Sequence, residues 1–187
     1  MPDTRLRIGS PLPSFGPLRA TDGRTVKASD FDGAKALVVV FSCNHCPYVQ
    51  AYEDRMIQFQ KEYLPRGVPL LAINSNETVN YPDDDFDGMV RRAALKKFNF
   101  AYLRDESQAA AEAFDATHTP EFFVFGPLAG KEGLRLQYRG KMDDNHKDPA
   151  AVKRHYLRDA VDAVLAGKPV TESETPSIGC TIKWMVS

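Results

Sequence analysis

A chain of 187 residues suffices for one domain with a substantial core. Its 24 lysines and arginines are matched by 25 aspartates and glutamates, so no basic excess points to nucleic acid or an anionic membrane. Residues 1–7 lack the apolar core of a signal peptide and no apolar run is long enough to span a membrane, which leads to a cytoplasmic expectation. The three cysteines are too few for a structural disulfide framework.

In chain order, residues 9–15 read as an extended lead-in and residues 21–26 as a hairpin, with Asp22-Gly23 as the tight-turn pair. Residues 29–35 make a polar connection. The run Ala36-Leu37-Val38-Val39-Val40-Phe41 is too short for a helix and rich in β-branched residues, so it reads as a buried strand. Beyond it Val49, Tyr52, Met56, Phe59 and Tyr63 recur at helical spacing, and Pro65-Arg66-Gly67 ends that helix. Residues 68–74 give a second buried strand. Residues 75–87 form a polar loop, and the acidic run Asp83-Asp84-Asp85 suits the solvated start of a helix over 86–98. A short strand over 100–103 leads to a short alanine-rich helix capped by Asp105-Glu106-Ser107-Gln108. Pro120, directly before the strand 121–125, is a candidate cis-proline, and residues 134–138 pair with that strand as a hairpin. A long helix is expected over 149–166 with Val152, Tyr156, Ala160, Val161 and Val164 inward, stopped by Gly167. Asp143-Asp144 reads as the turn leading to it.

The chemistry concentrates in Ser42-Cys43-Asn44-His45-Cys46-Pro47, where the first buried strand hands over to a helix. Pro47 suits a first turn because its missing N–H would have no intrahelical partner there. Free N–H groups and the helix dipole stabilise a thiolate at such a position. Cys43, at the mouth of the turn, reads as the nucleophile and Cys46, one turn deeper, as the thiol that closes an intramolecular disulfide. His45 is placed to add charge or a hydrogen bond near the thiolate, and Arg55 falls on the solvated side of the helix. Redox chemistry outweighs a pair of inert core cysteines because of the strand-to-helix setting.

The order of elements resembles the thioredoxin fold, and the hairpin with the extra strand and helix resembles the branch shared by peroxiredoxins and TlpA-like proteins. More closely, the chain is similar to bacterial thioredoxin-family or alkyl hydroperoxide reductase/thiol-specific antioxidant proteins. The resemblance rests on Cys43-Asn44-His45-Cys46-Pro47, residues 105–108, Thr119-Pro120-Glu121-Phe122-Phe123, residues 140–144 and Gly179-Cys180-Thr181-Ile182-Lys183-Trp184. It implies an α/β fold with a central mixed sheet flanked by helices, an N-terminal hairpin and a strand–helix insertion. It also implies a thioredoxin-like domain over 1–167 and a tail over 168–187 packed on it. Cys43 and Cys46 would be the attacking and resolving cysteines and Pro120 the cis-proline facing them, with Asn44, His45, Pro47 and Thr119 in support. The backbone of Thr119 would be free to pair with a substrate strand. The implied function is thiol–disulfide oxidoreduction on a protein or small-molecule disulfide or thiol, with an electron donor the sequence does not name and no cofactor or metal.

Two departures from thioredoxins stand out. Ser42 replaces the tryptophan that precedes the first cysteine, and residues 36–41 lack the buried acid that assists the resolving cysteine. The histidine before the second cysteine is similar instead to the oxidising DsbA and disulfide isomerase motifs. A thiol peroxidase is the first rival, but aligning Cys46-Pro47 to the peroxiredoxin pattern puts Cys43 at its hydroxyl position and Val39 at its proline. Cys180 keeps that rival alive, since a third cysteine can resolve a sulfenic acid. A copper-handling module is the second rival, with His45, His118 or His146 completing a site around the two cysteines. Cys180 reads either as an additional redox residue or as a small apolar anchor for the tail. The anchor is favoured because nothing in the local sequence activates its thiol and Ile182 and Trp184 alternate with it as in a docked strand.

Overall fold

The computed structural model describes residues 6–186. Residues 1–5, most of the stretch read for a signal sequence, lie outside them. A hairpin opens the fold, β1 (Leu18–Ala20) against β2 (Thr25–Val26), with Gly23 at a φ of 92° in its turn. Then come β3 (Leu37–Phe41), α1 (Pro47–Tyr63), β4 (Leu70–Asn74), α2 (Phe86–Lys96), β5 (Ala101–Arg104) and α3 (Ala109–Ala113). The chain continues through β6 (His118–Thr119), β7 (Glu121–Gly126), β8 (Arg135–Gly140), α4 (Tyr156–Leu165) and β9 (Cys180–Thr181).

Seven strands form one mixed sheet in the order β2-β1-β5-β4-β3-β7-β8, and β6 and β9 form a separate antiparallel pair. β3 runs parallel to β4 and β4 to β5, while β7 lies antiparallel to β3. This is the expected α/β arrangement, a central mixed sheet with helices on both faces and the hairpin at one edge.

The all-apolar sequence of β3 follows from its place in the middle. Alternate side chains of a strand point to opposite faces, so a strand covered on both sides must be apolar throughout. Val38 and Val40 pack with Tyr52, Met56 and Phe59 of α1 and with Leu157 and Val161 of α4. Leu37, Val39 and Phe41 pack on the other face with Ala110, Ala111 and Phe114 around α3. β3, β4 and β5 run in one direction, so Phe41, Asn74 and Arg104 end at the same edge of the sheet. In such sheets that edge is where functional groups collect.

The final helix is shorter than its periodicity suggests. Residues Pro149–Ala151 make a separate 3-10 turn, Val152 is extended, and α4 starts only at Tyr156. Hydrogen bonds from Lys153 N to the Asp144 carboxylate (2.9 Å) and from Asp144 N to the Arg154 carbonyl (3.2 Å) hold the intervening backbone extended. Val152 is accordingly only half-buried.

The α3 face is anchored on Phe114, fully buried with its ring centroid 5.3 Å from Phe41, 5.5 Å from Phe123 and 5.7 Å from Phe125. Phe114→Ala removes the hub of this cluster and leaves a cavity. We expect a loss of about 3–5 kcal/mol in stability, measured by urea unfolding with an unchanged m-value.

Candidate active site

The site is built where β3 ends. The Ser42 amide continues the β-pairing by donating to the Ile73 carbonyl at 2.8 Å, and the chain then turns through residues 43–46 into α1. Cys46 is the N-cap of α1, with φ −71° and ψ 122°, and Pro47 is its first helical residue. Thr119-Pro120 is a cis peptide opposite the two cysteines. The Cys43 sulfur lies 3.6 Å from the Thr119 hydroxyl, and the Cys46 sulfur 3.4 Å from the Thr119 carbonyl.

The two sulfurs differ in their surroundings. Both sulfurs are buried, but Cys43 is the more deeply desolvated, whereas Cys46 sits on the helix N-terminus. The hydrogen bond that Cys43 donates to Cys46 and its own burial push the Cys43 thiol far up. The same bond pulls Cys46 down to about 4 against the cost of its burial, helped by bonds from the Cys180 thiol and the Val49 amide. As a thiol Cys46 donates to the Thr119 carbonyl; as a thiolate it accepts instead from the Cys43 and Cys180 thiols and the Val49 and Cys180 amides. The N-cap position favours the thiolate.

The tail forms part of this site. β9 pairs antiparallel with β6, with Cys180 opposite Thr119 and Thr181 opposite His118. The Thr119 backbone, expected to be open to a substrate strand, is therefore occupied by the protein's own chain. The pairing brings the Cys180 sulfur to 2.7 Å from that of Cys46. Burial and the bond to Cys46 push the Cys180 thiol up to about 11. Ile182 is buried as a docked strand predicts, but Trp184 is 40% exposed.

Beneath the cysteine loop lies a polar network that sequence reasoning missed. Asp84, read as part of a solvated acidic run, is buried. Its carboxylate accepts from the Asn44 amide (2.8 Å), Asn74 Nδ2 (3.1 Å) and Asn76 Nδ2 (3.0 Å). Only its neighbours behave as expected, Asp85 capping α2 through Gly88 N and Asp83 remaining exposed. Asn44 also donates to the Asp83 carbonyl and accepts from the Tyr102 hydroxyl at 2.7 Å. Arg104 donates to the Asn74, Asn76 and Asp84 carbonyls, and burial lowers its pKa. The available signal was positional: Asn74-Ser75-Asn76 and Arg104-Asp105 are polar clusters at the ends of parallel strands.

Other sequence-derived residues fall elsewhere. His45 is 64% exposed and faces Asp83 at 3.7 Å rather than a cysteine sulfur. Arg55 is not solvated. It forms a buried ion pair with Asp143 at 2.8 Å, and Tyr52 donates to the same carboxylate, so Asp143 is a core anchor rather than a simple turn residue. The ring of His146 packs on Tyr48, and His118 bonds to the Thr117 hydroxyl. Among the described residues no group of three or more His, Cys, Asp or Glu side chains could hold a metal ion. Nor, among them, is any helix long and apolar enough to cross a membrane.

Residues 7–131 match the Redoxin family. The chain belongs to that family. Among solved structures, this Redoxin protein is similar to an uncharacterized conserved protein from Geobacillus kaustophilus, with 38% identity over 97% of this chain and 94% of that one and a TM-score of 0.88. A hypothetical protein from Sinorhizobium meliloti 1021 is 33% identical over 97% of each chain, with a TM-score of 0.87. A putative thiol:disulfide interchange protein DsbE from Chlorobium tepidum shares 19% identity over 86% of this chain and 99% of its own, with a TM-score of 0.66, which shows the common thioredoxin-like fold. No curated protein matches.

A Cys46 pKa of about 4 lies below the ordinary thiol value of 9.0, so the anion is the stable form above that pH and is lost as pH falls through it. The reduced protein should therefore show one thiolate equivalent by ultraviolet absorbance already at about pH 6, where an ordinary thiol is protonated. Cys46→Ser should remove that equivalent and Cys180→Ser should retain most of it. A titration step only near the ordinary thiol range would contradict the assignment.

Proposed function

We propose that this Redoxin protein is a thiol–disulfide oxidoreductase working through Cys43 and Cys46, with Cys46 as the attacking thiolate and Cys43 as the resolving thiol. The observation that carries the reading is the Cys46 sulfur on the N-terminus of α1, within hydrogen-bond reach of the cis-proline segment and bonded by the Cys43 thiol.

In the reducing direction the Cys46 thiolate attacks one sulfur of a substrate disulfide, and the other sulfur departs with the bonding electron pair and takes up a proton. Cys43 then loses its proton and attacks the Cys46 sulfur of the mixed disulfide. The second substrate sulfur leaves as a thiolate. The protein ends with a Cys43–Cys46 disulfide and the substrate has gained two electrons and two protons. Every step is reversible thiol–disulfide exchange. A thiolate as stable as that of Cys46 favours the reduced protein, which makes the Cys43–Cys46 disulfide an oxidant. The substrate class is a disulfide or dithiol on a protein or small molecule.

A second reading, thiol peroxidase, draws on the same Cys46 thiolate and the nearby Cys180. It has less support, because Cys43 occupies the position where peroxiredoxins carry a hydroxyl that helps activate peroxide.

Cys46→Ser should reduce exchange with a small aromatic disulfide to the uncatalysed background. The double variant Cys43→Ser/Cys180→Ser should instead accumulate a stable mixed disulfide on Cys46, visible by intact-mass spectrometry. Trapping on Cys43 in the Cys46→Ser protein would overturn the role assignment, and wild-type exchange rates in both would overturn the function. Peroxide consumption by Cys46 much faster than by free cysteine would favour the second reading.

A further inference from the structure

We propose that Cys180 is a third redox residue, which takes the disulfide from the buried Cys43–Cys46 pair and carries it to the surface as Cys46–Cys180. The proposal rests on the thiol–disulfide reading above and goes beyond it by giving the C-terminal strand a chemical part.

Three independent features support it. The first is the sulfur geometry. Cys46 is the shared centre, packed with Cys43 in one buried cluster and lying 2.7 Å from the Cys180 sulfur. The second is how firmly the tail is held. The Ile182 amide donates to the Thr117 carbonyl, Lys183 N to Asn76 Oδ1 and Met185 N to Gln108 Oε1. In return the Lys183 carbonyl accepts from the Glu77 amide and Gln108 Nε2, and Ile182 is buried in the α3-side core. The Cys180 sulfur is thus positioned by its backbone and does not reach the site by chance.

The third feature is Gly179. A Cβ there would lie 2.1 Å from the Thr119 carbonyl oxygen and 2.8 Å from its carbon. Backbone atoms cannot yield at such distances, so β9 reaches its place beside the cis-proline only because residue 179 has no side chain. The cost of an approach this close is accepted at the one position that brings a third thiol to Cys46.

The step needs no external oxidant. After turnover leaves a Cys43–Cys46 disulfide, the Cys180 thiol gives up its proton and its sulfur attacks Cys46. The Cys46–Cys180 bond forms, the Cys43–Cys46 bond breaks, and its electron pair leaves on Cys43. The Cys43 thiolate takes up a proton, with the Thr119 hydroxyl 3.6 Å away to stabilise it as it departs. Two electrons' worth of oxidation moves from a sulfur pair that is almost wholly covered to one that includes half-buried Cys180. A reductant at the surface can then attack the Cys180 sulfur without entering the core.

The test uses the full chain, reduced and then oxidised with one equivalent of diamide, a thiol oxidant that supplies no peroxide. The protein is quenched in acid, alkylated and mapped with trypsin. Cys43 and Cys46 share one tryptic peptide and Cys180 lies in another, so a Cys46–Cys180 bond appears as a cross-linked pair and a Cys43–Cys46 bond does not. In wild type we expect both species in exchange. In Cys43→Ser the cross-link should become the main oxidised form, and in Cys46→Ser it should be absent. Gly179→Ala should lower the cross-link at least fivefold while the Cys43–Cys46 disulfide still forms, and circular dichroism establishes that this variant is folded. A Cys180 that stays free in both wild type and Cys43→Ser, while Cys43–Cys46 forms normally, would overturn the relay and leave the oxidoreductase reading standing. If neither disulfide forms, both readings are overturned.

Discussion

The Cys46 sulfur lies where three backbone segments converge: the end of β3, the start of α1 and the cis-proline turn. Each segment contributes something the others cannot. The strand fixes the depth of the loop through its fully apolar pairing in the sheet, and the helix provides unpaired amides and a favourable dipole for an anion. The turn sets Thr119 against both sulfurs, its hydroxyl beside Cys43 and its carbonyl beside Cys46. Such a sulfur can be both buried and ionised, a combination that is otherwise costly for a charged group. The opposite protonation of Cys43 follows directly. The two neighbouring sulfurs are coupled, and the helix end favours the anion on Cys46.

The loop holding these sulfurs needs rigid support, and the buried polar layer beneath it supplies that. Asp84 bonds to the loop through the Asn44 amide and to the end of β4 through Asn74, and Arg104 ties the same strand end to the α2 approach. Replacing one partner would leave several buried donors without acceptors, which is far more damaging than losing a surface pair. The layer is polar because it lies at the ends of parallel strands, where backbone groups no longer pair with one another and side chains must satisfy them. Fold and chemistry therefore meet in the same residues. The strand ends that finish the sheet also set the position of the redox loop.

Much of this was legible in the sequence because period and punctuation are local signals. Three valines and a phenylalanine in a row marked β3, the spacing from Val49 to Tyr63 marked α1, and proline before residues 121–125 marked the turn over the sulfurs. The seven-strand sheet and its flanking helices agree with those readings. What was not legible depends on contacts between distant segments. The burial of Asp84 and Arg55 is decided by partners many residues away, so both look like solvent-facing charges when read locally. The helix start at Pro47 was legible, but how the two cysteines face Thr119 and Cys180 was not, because those partners are distant in sequence. Cys180 looked inert because its surroundings in sequence are inert; its neighbour at Cys46 is 134 residues away.

The pairing of β9 with β6 also sets a condition on anything that approaches the site as an extended peptide. The Thr119 edge is already filled by a strand tethered to the same molecule, and a tethered strand acts as a competitor at an effective concentration on the order of millimolar. A free peptide must displace it, so its apparent affinity falls by the fraction of time the tail is docked. Small disulfides that reach sulfur without needing a backbone partner pay no such penalty. On the proposed exchange reading, the docked C-terminal strand would set a threshold that a polypeptide must cross and a compact disulfide would not.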